Sequence, residues 1–599
     1  MTVYGMTLFL GLDLSTQSLK AVVTNQQDIV VCERTVNFDE DLPQYGTVNG
    51  AISGTEEGVI TCPVALWIEA LELAMDSLKD AGVQLNSIVG VSGDAQQHGS
   101  VYWSHTAAGR LANLDPYLPL RLQLIPEAFS QTRAPIWQDS STREECDIIE
   151  AAAGGPQMLS DLTGSRAYER FTGSQILKVC RRTPKIYEAT ARISLVSSFL
   201  ATLFLCQFSP LEVADASGMN LMNVTTRRWE ESLLQLCGGP SLREKLGEEP
   251  LLGGTIIGKI GVWWVKRYGF HPDCIVSPFT GDNPATIVTH SSPGDAILSL
   301  GTSTTLLISV PAPSQNSPAP ACTTTSHILA HPTIGMGSII MLCIKNGALT
   351  RDLIMKKYAG SWEAFNAQIL SRPTGNEGCL GFYFTLKEII PDGVVGDHFF
   401  VNGQKLGSDE TSRFPETAHA RAVLESQLLS IKNRMGGILQ GGMSSLERCI
   451  LTGGASVNPV IRSMAADILG LPVYVAPHGI GNSAAAGGAI LAKYAWWKAS
   501  NTDAGNSITG LRPTDTTPAV RKHTGDREEW TFEQMRNTTG GLAVEWVADP
   551  DPVNVDVYNR MVGEFRRCEE LIGMRFFFLI LGFCYKLDDM CCISLHSEQ

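Results

Sequence analysis

"FLGLDLSTQSLKAVVT", residues 9–24, consists of two apolar runs joined by a short hydroxyl-rich turn. A hairpin corner needs only Gly, Asn or Pro. This one carries Asp13, Ser15, Thr16, Gln17, Ser18 and Lys20 within eight positions. Hydroxyls and backbone N–H groups that converge from one concave turn suit the oxygens of a phosphate. Taken alone, the stretch reads as well as a plain hairpin.

The pattern returns. "DAILSLGTSTTLLISV", residues 295–310, is again an apolar run, a Gly-Thr-Ser-Thr-Thr turn and a second apolar run. A third element, "ERCILTGGASVNPVIRSMAADILGLPVYV" (447–475), reads as strand, Gly-Gly turn, amphipathic helix and strand. Self-similarity of this kind points to an internal duplication. Two hydroxyl-rich turns, one per half, could grip a polyphosphate from both sides. Asp13 would then hold a hydrated Mg²⁺, which takes one or two carboxylates plus phosphate oxygens. Lys20 either pairs with phosphate or lies on the surface. At Gly453-Gly454 a flat ring could approach the backbone closely, with Ser456 and Asn458 at hand. A tight strand-to-helix turn is the commoner use of such a pair.

Around these elements, strand patterns at 7–13, 20–24, 29–36 and 87–92 alternate with a helical pattern at 63–81. That alternation is the mark of an α/β architecture. Residues 193–204 read as a buried apolar helix, 311–321 as a Pro-rich surface loop and 500–541 as a polar excursion. Residues 555–572 recover helical spacing and should dock on the second half. The apolar stretch that follows, 574–586, is shorter than the ~20 residues of a spanning helix and reads as a buried strand or irregular tail.

At 599 residues the chain is too long for one core. Its hydrophobic fraction of 44% with 18% charged residues is globular. A net charge of −15 argues against nucleic acid or an anionic membrane as partner, since both reward clustered Lys and Arg. The 15 cysteines show no zinc-like spacing, and no basic residue precedes Lys20, so no signal peptide is read. Reduced thiols and a cytoplasmic location are the expectation. Both a monomer and a homodimer are left open.

Three more stretches carry chemistry-bearing residues. "SPFTGDNPATIV" places Asp282 and Asn283 between Gly281 and Pro284. Such an Asp is either a helix cap or a general base at a domain junction. "DAQQHGSVYW" offers Gln96, Gln97, His98, Tyr102 and Trp103, a polar and aromatic mix suited to a polyol, although a lone His is more often structural. "APIWQDSSTR" and "TGSRAYERFTG" add Trp137, Asp139, Arg166 and Arg170.

In this order, these pieces resemble the FGGY carbohydrate kinases of the actin/Hsp70/hexokinase-like ATPases, and within them the eukaryotic xylulokinase branch. The resemblance is carried by "LGLDLSTQSLK", "SGDAQQHGSVYW", "PIWQDSSTR", "LTGSRAYERFTGSQI", "RISLVSSF", "SGMNLMN", "FTGDNPA", "SLGTSTT", "KNGALTRD", "GFYF" and "LTGGASVNP". It implies two ribonuclease-H-like α/β domains, each with a mixed five-stranded sheet, closing over a cleft. Residues 1–291 would form the sugar-binding domain, 292–573 the nucleotide-binding domain, and 574–599 an atypical tail. It implies ATP with Mg as the phosphoryl donor and D-xylulose as the acceptor.

By the same resemblance, Asp282 is the catalytic base, and His98, Arg170, Asp282 and Asn283 contact the sugar. Thr16, Gln17, Gly301, Thr302 and Ser303 lie at the phosphates. Gly453, Gly454 and Asn458 lie at the adenosine, with Trp362 of "GSWEAF" a further nucleotide contact, and Asp13 holds the metal through water. Thr304 departs from the family pattern, where Asp is frequent, and "FTGSQILKV" follows the central signature loosely. Nothing familiar matches 574–599. Three rivals stay open: a kinase of another ketose or polyol, an inactive sugar or nucleotide sensor, and a chaperone-like ATPase. Joint presence of Asp13, both turns and Asp282 argues against the sensor.

Overall fold

The computed structural model describes residues 6–580, apart from 302, 315–317, 392, 440–444, 477–483, 502–529 and 540–543. Its frame is two sheets built on one plan.

The opening stretch forms β1 (Leu8–Leu14) and β2 (Ser18–Asn25), an antiparallel hairpin continued by β3 (Val30–Asn37). Helix α1 (Val64–Asp80) buries Leu66, Ala70, Leu71, Ala74 and Leu78 at helical spacing. It leads to β4 (Ile88–Ala95), which pairs parallel to β1. After β5 (Ser100–Ser104), helix α2 (Thr172–Arg182), β6 (Thr190–Leu195), helix α3 (Val196–Leu205) and the short α4 (Val213–Ser217), the chain returns to the sheet. It does so through β7 (Gly258–Lys259), β8 (Ile275–Val276) and β9 (Thr280–Gly281). The order is β7-β8-β4-β1-β2-β3, with β9 also on β4.

Helix α5 (Asp282–His290) then crosses to the second half. There β10 (Asp295–Leu300), β11 (Thr304–Val310), β12 (His327–Ala330) and β13 (Ser338–Ile344) are antiparallel neighbours. Helices α6 (Ala348–Ile354), α7 (Trp362–Ser371) and α8 (His419–Ile438) precede β14 (Arg448–Thr452), parallel to β10. Helix α9 (Pro459–Leu469) and β15 (Val473–Val475) follow, then helix α10 (Ala484–Asn501), helix α11 (Phe532–Thr539), β16 (Glu545–Ala548) and helix α12 (Pro552–Ile580). The order β12-β13-β11-β10-β14-β15-β16 repeats the plan of the first sheet. In each, an antiparallel three-strand meander is flanked by two parallel strands. The duplication expected from the two turns is therefore a duplication of topology. Each sheet has seven strands; short edge strands extend the expected five.

Three segments differ from expectation. Residues 193–195 belong to strand β6, where Ile193 pairs with Tyr102 and Leu195 with Ser100. A continuous apolar run does not separate a buried strand from a buried helix, and pairing with β5 decided it. Within the polar excursion, α11 is ordered because Phe532 and Met535 pack against Ile490, Leu491 and Tyr494 of α10. Residues 502–529 of that excursion lie outside the described residues. Helix α12 docks through Tyr558, Phe565, Cys568 and Ile572, as expected. It then stays helical to Ile580 where a strand or irregular tail was expected, and 581–599 lie outside the described residues. Among the described residues no helix is long and apolar enough to cross a membrane. The described cysteines are all free thiols.

Candidate active site

Helix α10 lies on the face of the first sheet that presents Phe9, Gly11 and Asp13. A Cβ on Gly11 would fall 1.9 Å from the carbonyl oxygen of Ala485, so only glycine lets this helix approach β1. Farther along the same face, at the strand end, stands Asp13. Its cross-strand neighbour is Lys20, and Ser15 Oγ donates to its Oδ1 at 2.6 Å. Burial raises its pKa, against the pull of Ser15 and Lys20. In the turn, Thr16 Oγ1 accepts from Trp137 Nε1 at 2.7 Å, and the Gln17 carbonyl accepts from Phe38 N. The Gln17 side chain is exposed.

In the parallel strand, Asp94 is the register partner of Asp13. It is fully buried, and neither carboxyl oxygen has a hydrogen-bond donor. Burial, then the charges of Asp13 and Asp282, hold its pKa well above the ordinary range. Asp282 begins α5, directly after β9 has delivered the chain to the end of β4. It keeps part of its surface open while sitting deep among protein atoms. Burial and the charge of Asp13 push it up to about 7, although the Asn283 N–H bonds its Oδ1. A carboxylate that titrates near neutrality is poised for general-base work. At the far end of α5, Arg536 of α11 donates to the Thr289 carbonyl at 3.0 Å and to that of Ser291, tying down the helix that aims Asp282.

Two further acids back this corner. Glu212 caps α4 by accepting from Ala214 N and Asp215 N, and Thr280 Oγ1 donates to it at 2.6 Å. Ser197 Oγ donates to Asp215 Oδ2 at 2.6 Å. Burial raises Glu212 and Asp215 each to about 7. Gln97 joins them to the base: its Oε1 accepts from Asn283 Nδ2 at 3.0 Å.

His98 and Arg170 do come together, on Phe171. The His98 ring lies 4.6 Å from the Phe171 ring, and the Arg170 guanidinium 5.3 Å from it. His98 adopts φ 72 and its Nδ1 is 3.1 Å from the Gly218 carbonyl, so Nδ1 carries the proton and Nε2 is left to accept. Burial, then Arg170, pushes its pKa down to about 3. Tyr102 and Trp103 do not belong to this surface. Both are fully buried, and Trp103 Nε1 donates to Ser194 Oγ. Alternation sends them to opposite faces of β5, and both faces are covered: Trp103 packs with Phe129 and Phe199, Tyr102 in the cluster of Ile193 and Leu195. Asp139 and Arg166 are also structural: Asp139 accepts from Ile60 N and Gln175 Nε2, and Arg166 pairs with Glu150.

In the second hairpin, the Gly301 carbonyl accepts from Ala348 N at the start of α6, and Ser303 is half-buried. Thr302 lies outside the described residues. Thr304 is buried, 3.5 Å from the guanidinium of the buried Arg351. Gly453 meets this hairpin from β14. It adopts φ 83, and a Cβ there would stand 3.0 Å from the Leu300 carbonyl carbon. Gly454 faces open space. The Asn458 side chain caps α9, and its Nδ2 donates to Asn366 Oδ1 at 2.9 Å. Asn366 is one turn beyond Trp362 on α7, so Trp362 and Asn458 border one region. Trp362 is 36% exposed, which leaves its ring free to stack on a flat ligand.

The two turns present hydroxyls and backbone N–H groups, the Asp13–Asp282 corner holds two carboxyls of raised pKa, and His98 and Arg170 meet on one aromatic ring. Residues 131–289 match the N-terminal domain of the FGGY family of carbohydrate kinases, and 296–496 match its C-terminal domain. The chain belongs to the FGGY family.

Among its FGGY relatives, xylulose kinase of Mus musculus is 42% identical over 468 residues, covering 78% of this chain and 82% of that one. D-xylulose kinase A of Aspergillus niger is 41% identical over 511 residues, covering 80% and 88%. The crystal structure of xylulose kinase from Rhodospirillum rubrum superposes with a TM-score of 0.72 at 15% identity, covering 95% of this chain and all of that one. That of the Brucella ovis enzyme, titled a xyloylose kinase, gives 0.71 at 18%, covering 94% and 98%. These two likenesses establish the FGGY fold.

Sequence reading passed over Asp94, Glu212, Asp215, His327 and Arg351. Asp94 had a signal: a lone acid ending an apolar strand, as Asp13 does. The others are single polar residues in apolar or loop contexts, and only tertiary packing gathers them.

Proposed function

We propose that the protein transfers the γ-phosphoryl group of ATP to O5 of D-xylulose, giving D-xylulose 5-phosphate and ADP. One observation carries the reading. Asp282, with its pKa near neutrality, opens the helix that joins the two halves; it feels the charge of Asp13, and its neighbour Asn283 bonds Gln97, which precedes His98 in the chain. Phosphoryl transfer demands mainly positioning and charge neutralisation. Asp282 takes the proton of the sugar hydroxyl, while Asn283, His98 and Arg170 orient the sugar. Thr16, Gln17, Gly301, Thr302 and Ser303 offer N–H and O–H donors to the phosphates. Gly453, Gly454, Asn458 and Trp362 receive the adenosine.

The residues present fit a divalent cation: Asp13 is buried among carboxyls, and the orphaned Asp94 oxygens beside it need a positive partner. Asp13 holds it through water, and when bound it neutralises charge on the polyphosphate. Residues 1–291 serve as the sugar-binding domain and 292–573 as the nucleotide-binding domain. The reading places the enzyme in the cytoplasm, in xylose metabolism, as a monomer or homodimer without nucleic acid or membrane partners. Identity above 40% to proteins named xylulose kinase supports the choice of sugar. The test is ADP release from MgATP by the purified chain across a panel of pentuloses, other ketoses and polyols, with mass spectrometry of the product. D-Xylulose should give the highest kcat/KM. No ADP release with any of them would sink the reading.

A further inference from the structure

We propose that Asp94 is a second metal-holding carboxylate, so that Asp13 and Asp94 together bind a divalent cation before nucleotide arrives. The inference rests on the kinase reading only for what that cation later serves.

The two strands are parallel and in register, and Asp13 faces Asp94. Neighbouring strands lie about 4.8 Å apart, so both carboxyls emerge from one face at one level. They are 5% and 0% exposed. Among the described residues, Asp94 has no hydrogen-bond donor on either oxygen other than a proton shared with Asp13. Buried carboxylates without donors are rare, because burial strips the water that would otherwise solvate them.

A second, independent observation points the same way. Gln96, two residues along and so on the same face by the pleat, is 2% exposed, and neither its amide oxygen nor its amide nitrogen has a partner. Its backbone N–H bonds the Leu14 carbonyl, which keeps it level with the end of β1. Three orphaned acceptors thus stand on one face of the sheet: two of Asp94 and the Gln96 Oε1.

The charge balance also calls for a cation. Asp94 feels Asp13, Asp282 and Asp215, all negative when ionised. Lys20 is positive and acts on Asp13 across the hairpin. A proton shared by the two aspartates would satisfy one oxygen of each and leave Gln96 unpaired. A hydrated divalent cation satisfies all of them, with a carboxylate on two sides and a bound water for the amide. Among the described residues no three His, Cys, Asp or Glu side chains close into a full cage. That suits Mg²⁺ or Mn²⁺, which keep waters and take up phosphate oxygens later.

The test uses the full chain, without sugar or nucleotide, titrated with Mn²⁺ and followed by electron paramagnetic resonance of the free ion. The parent should bind one Mn²⁺, displaceable by Mg²⁺. Asp94→Asn, close in shape, should weaken that affinity by about tenfold or more, comparably to Asp13→Asn. Circular dichroism and thermal melting establish that each variant is folded, and added Mg²⁺ should raise the melting temperature of the parent but not of Asp94→Asn. Parent-like Mn²⁺ affinity in folded Asp94→Asn, or a parent that binds no Mn²⁺, overturns the inference. ADP production is measured separately. An inactive parent with an Asp94-dependent Mn²⁺ site sinks the kinase reading alone, and an active parent whose Mn²⁺ site ignores Asp94 sinks this inference alone.

Discussion

Arg170 Nη2 stands 3.3 Å from Nε2 of His327, and the two residues come from opposite halves of the chain. A guanidinium only donates, so the imidazole must accept on Nε2 and carry its proton on Nδ1. Nδ1 then donates to Ser165 Oγ at 2.8 Å. Burial, then the Arg170 charge, holds the His327 pKa well down, which keeps the ring neutral and the acceptor available. His327 lies on β12, an edge strand of the second sheet, so a residue of the second half fixes the guanidinium of an arginine from the first.

If Arg170 holds the sugar as proposed, His327 acts as a positioning residue. His327→Phe keeps an aromatic ring beside Tyr168 but removes the acceptor. Hydrogen bonds to charged groups contribute about 1.5–3 kcal/mol, so kcat/KM for the sugar should fall roughly tenfold to a hundredfold. KM for MgATP should change little. His327→Gln, which keeps an acceptor, should recover most of the loss. Equal damage from both variants, with a lowered melting temperature, would reduce His327 to a packing role.

Asp282 should govern the rate. A general base contributes about 10²–10⁴-fold, so Asp282→Asn should lower kcat by at least about a hundredfold while both substrates still bind. The amide keeps shape and capping ability, so an active Asp282→Asn enzyme would refute the base. Because Asp282 is pushed up to about 7, its basic form fills as pH rises. The parent's kcat/KM should accordingly climb with pH and level off above about 7. A profile flat across that range would contradict the assignment.

Much of this was legible in the chain, for physical reasons that differ from residue to residue. The two hairpins were readable because continuous apolar runs flank hydroxyl-rich turns, and because the second stretch repeats the pattern of the first. Asp282 was readable by its place between Gly281 and Pro284, but its pKa depends on Asp13, about 270 positions earlier in the sequence. Tyr102 and Trp103 misled because nothing in a short strand's sequence says that both of its faces are covered. His327 and Glu212 were invisible for the opposite reason. Their roles come from partners that only the folded chain brings near: Arg170 for one, Thr280 for the other. The family resemblance supplied roles that spacing alone left open.

Glu212 and Asp215 should also write a pH dependence into stability. Their ordinary values of 4.5 and 3.8 rise to about 7 in the folded chain. The folded state thus holds protons that the unfolded state has released. Their stabilising contribution is complete below the unfolded values and is lost as pH rises from about 4 through about 7. The melting temperature of the ligand-free parent should fall over that window more steeply than that of a Glu212→Gln, Asp215→Asn double variant. Calorimetry at several pH values checks this, and parallel curves for the two proteins would contradict it.

Gly453 and Gly454 are adjacent, yet they should fail differently. Gly453 holds a left-handed φ of 83, and its Cα faces the backbone of the second hairpin. Alanine there brings a Cβ to 3.0–3.2 Å from Leu300 and Gly301 backbone atoms, which cannot swing away as a side chain would. Strain of this kind costs about 1–3 kcal/mol, so Gly453→Ala should lower the melting temperature by several degrees. It should also displace Gly301 and raise KM for ATP. At Gly454 a Cβ would meet nothing within 4 Å. Gly454→Ala should therefore melt with the parent. If adenosine lies against this backbone, the added methyl still obstructs it, and KM for ATP should rise about fivefold or more with sugar KM unchanged. A Gly454→Ala protein with parental ATP kinetics would remove Gly454 from the nucleotide site while leaving Gly453 its structural reason to be glycine.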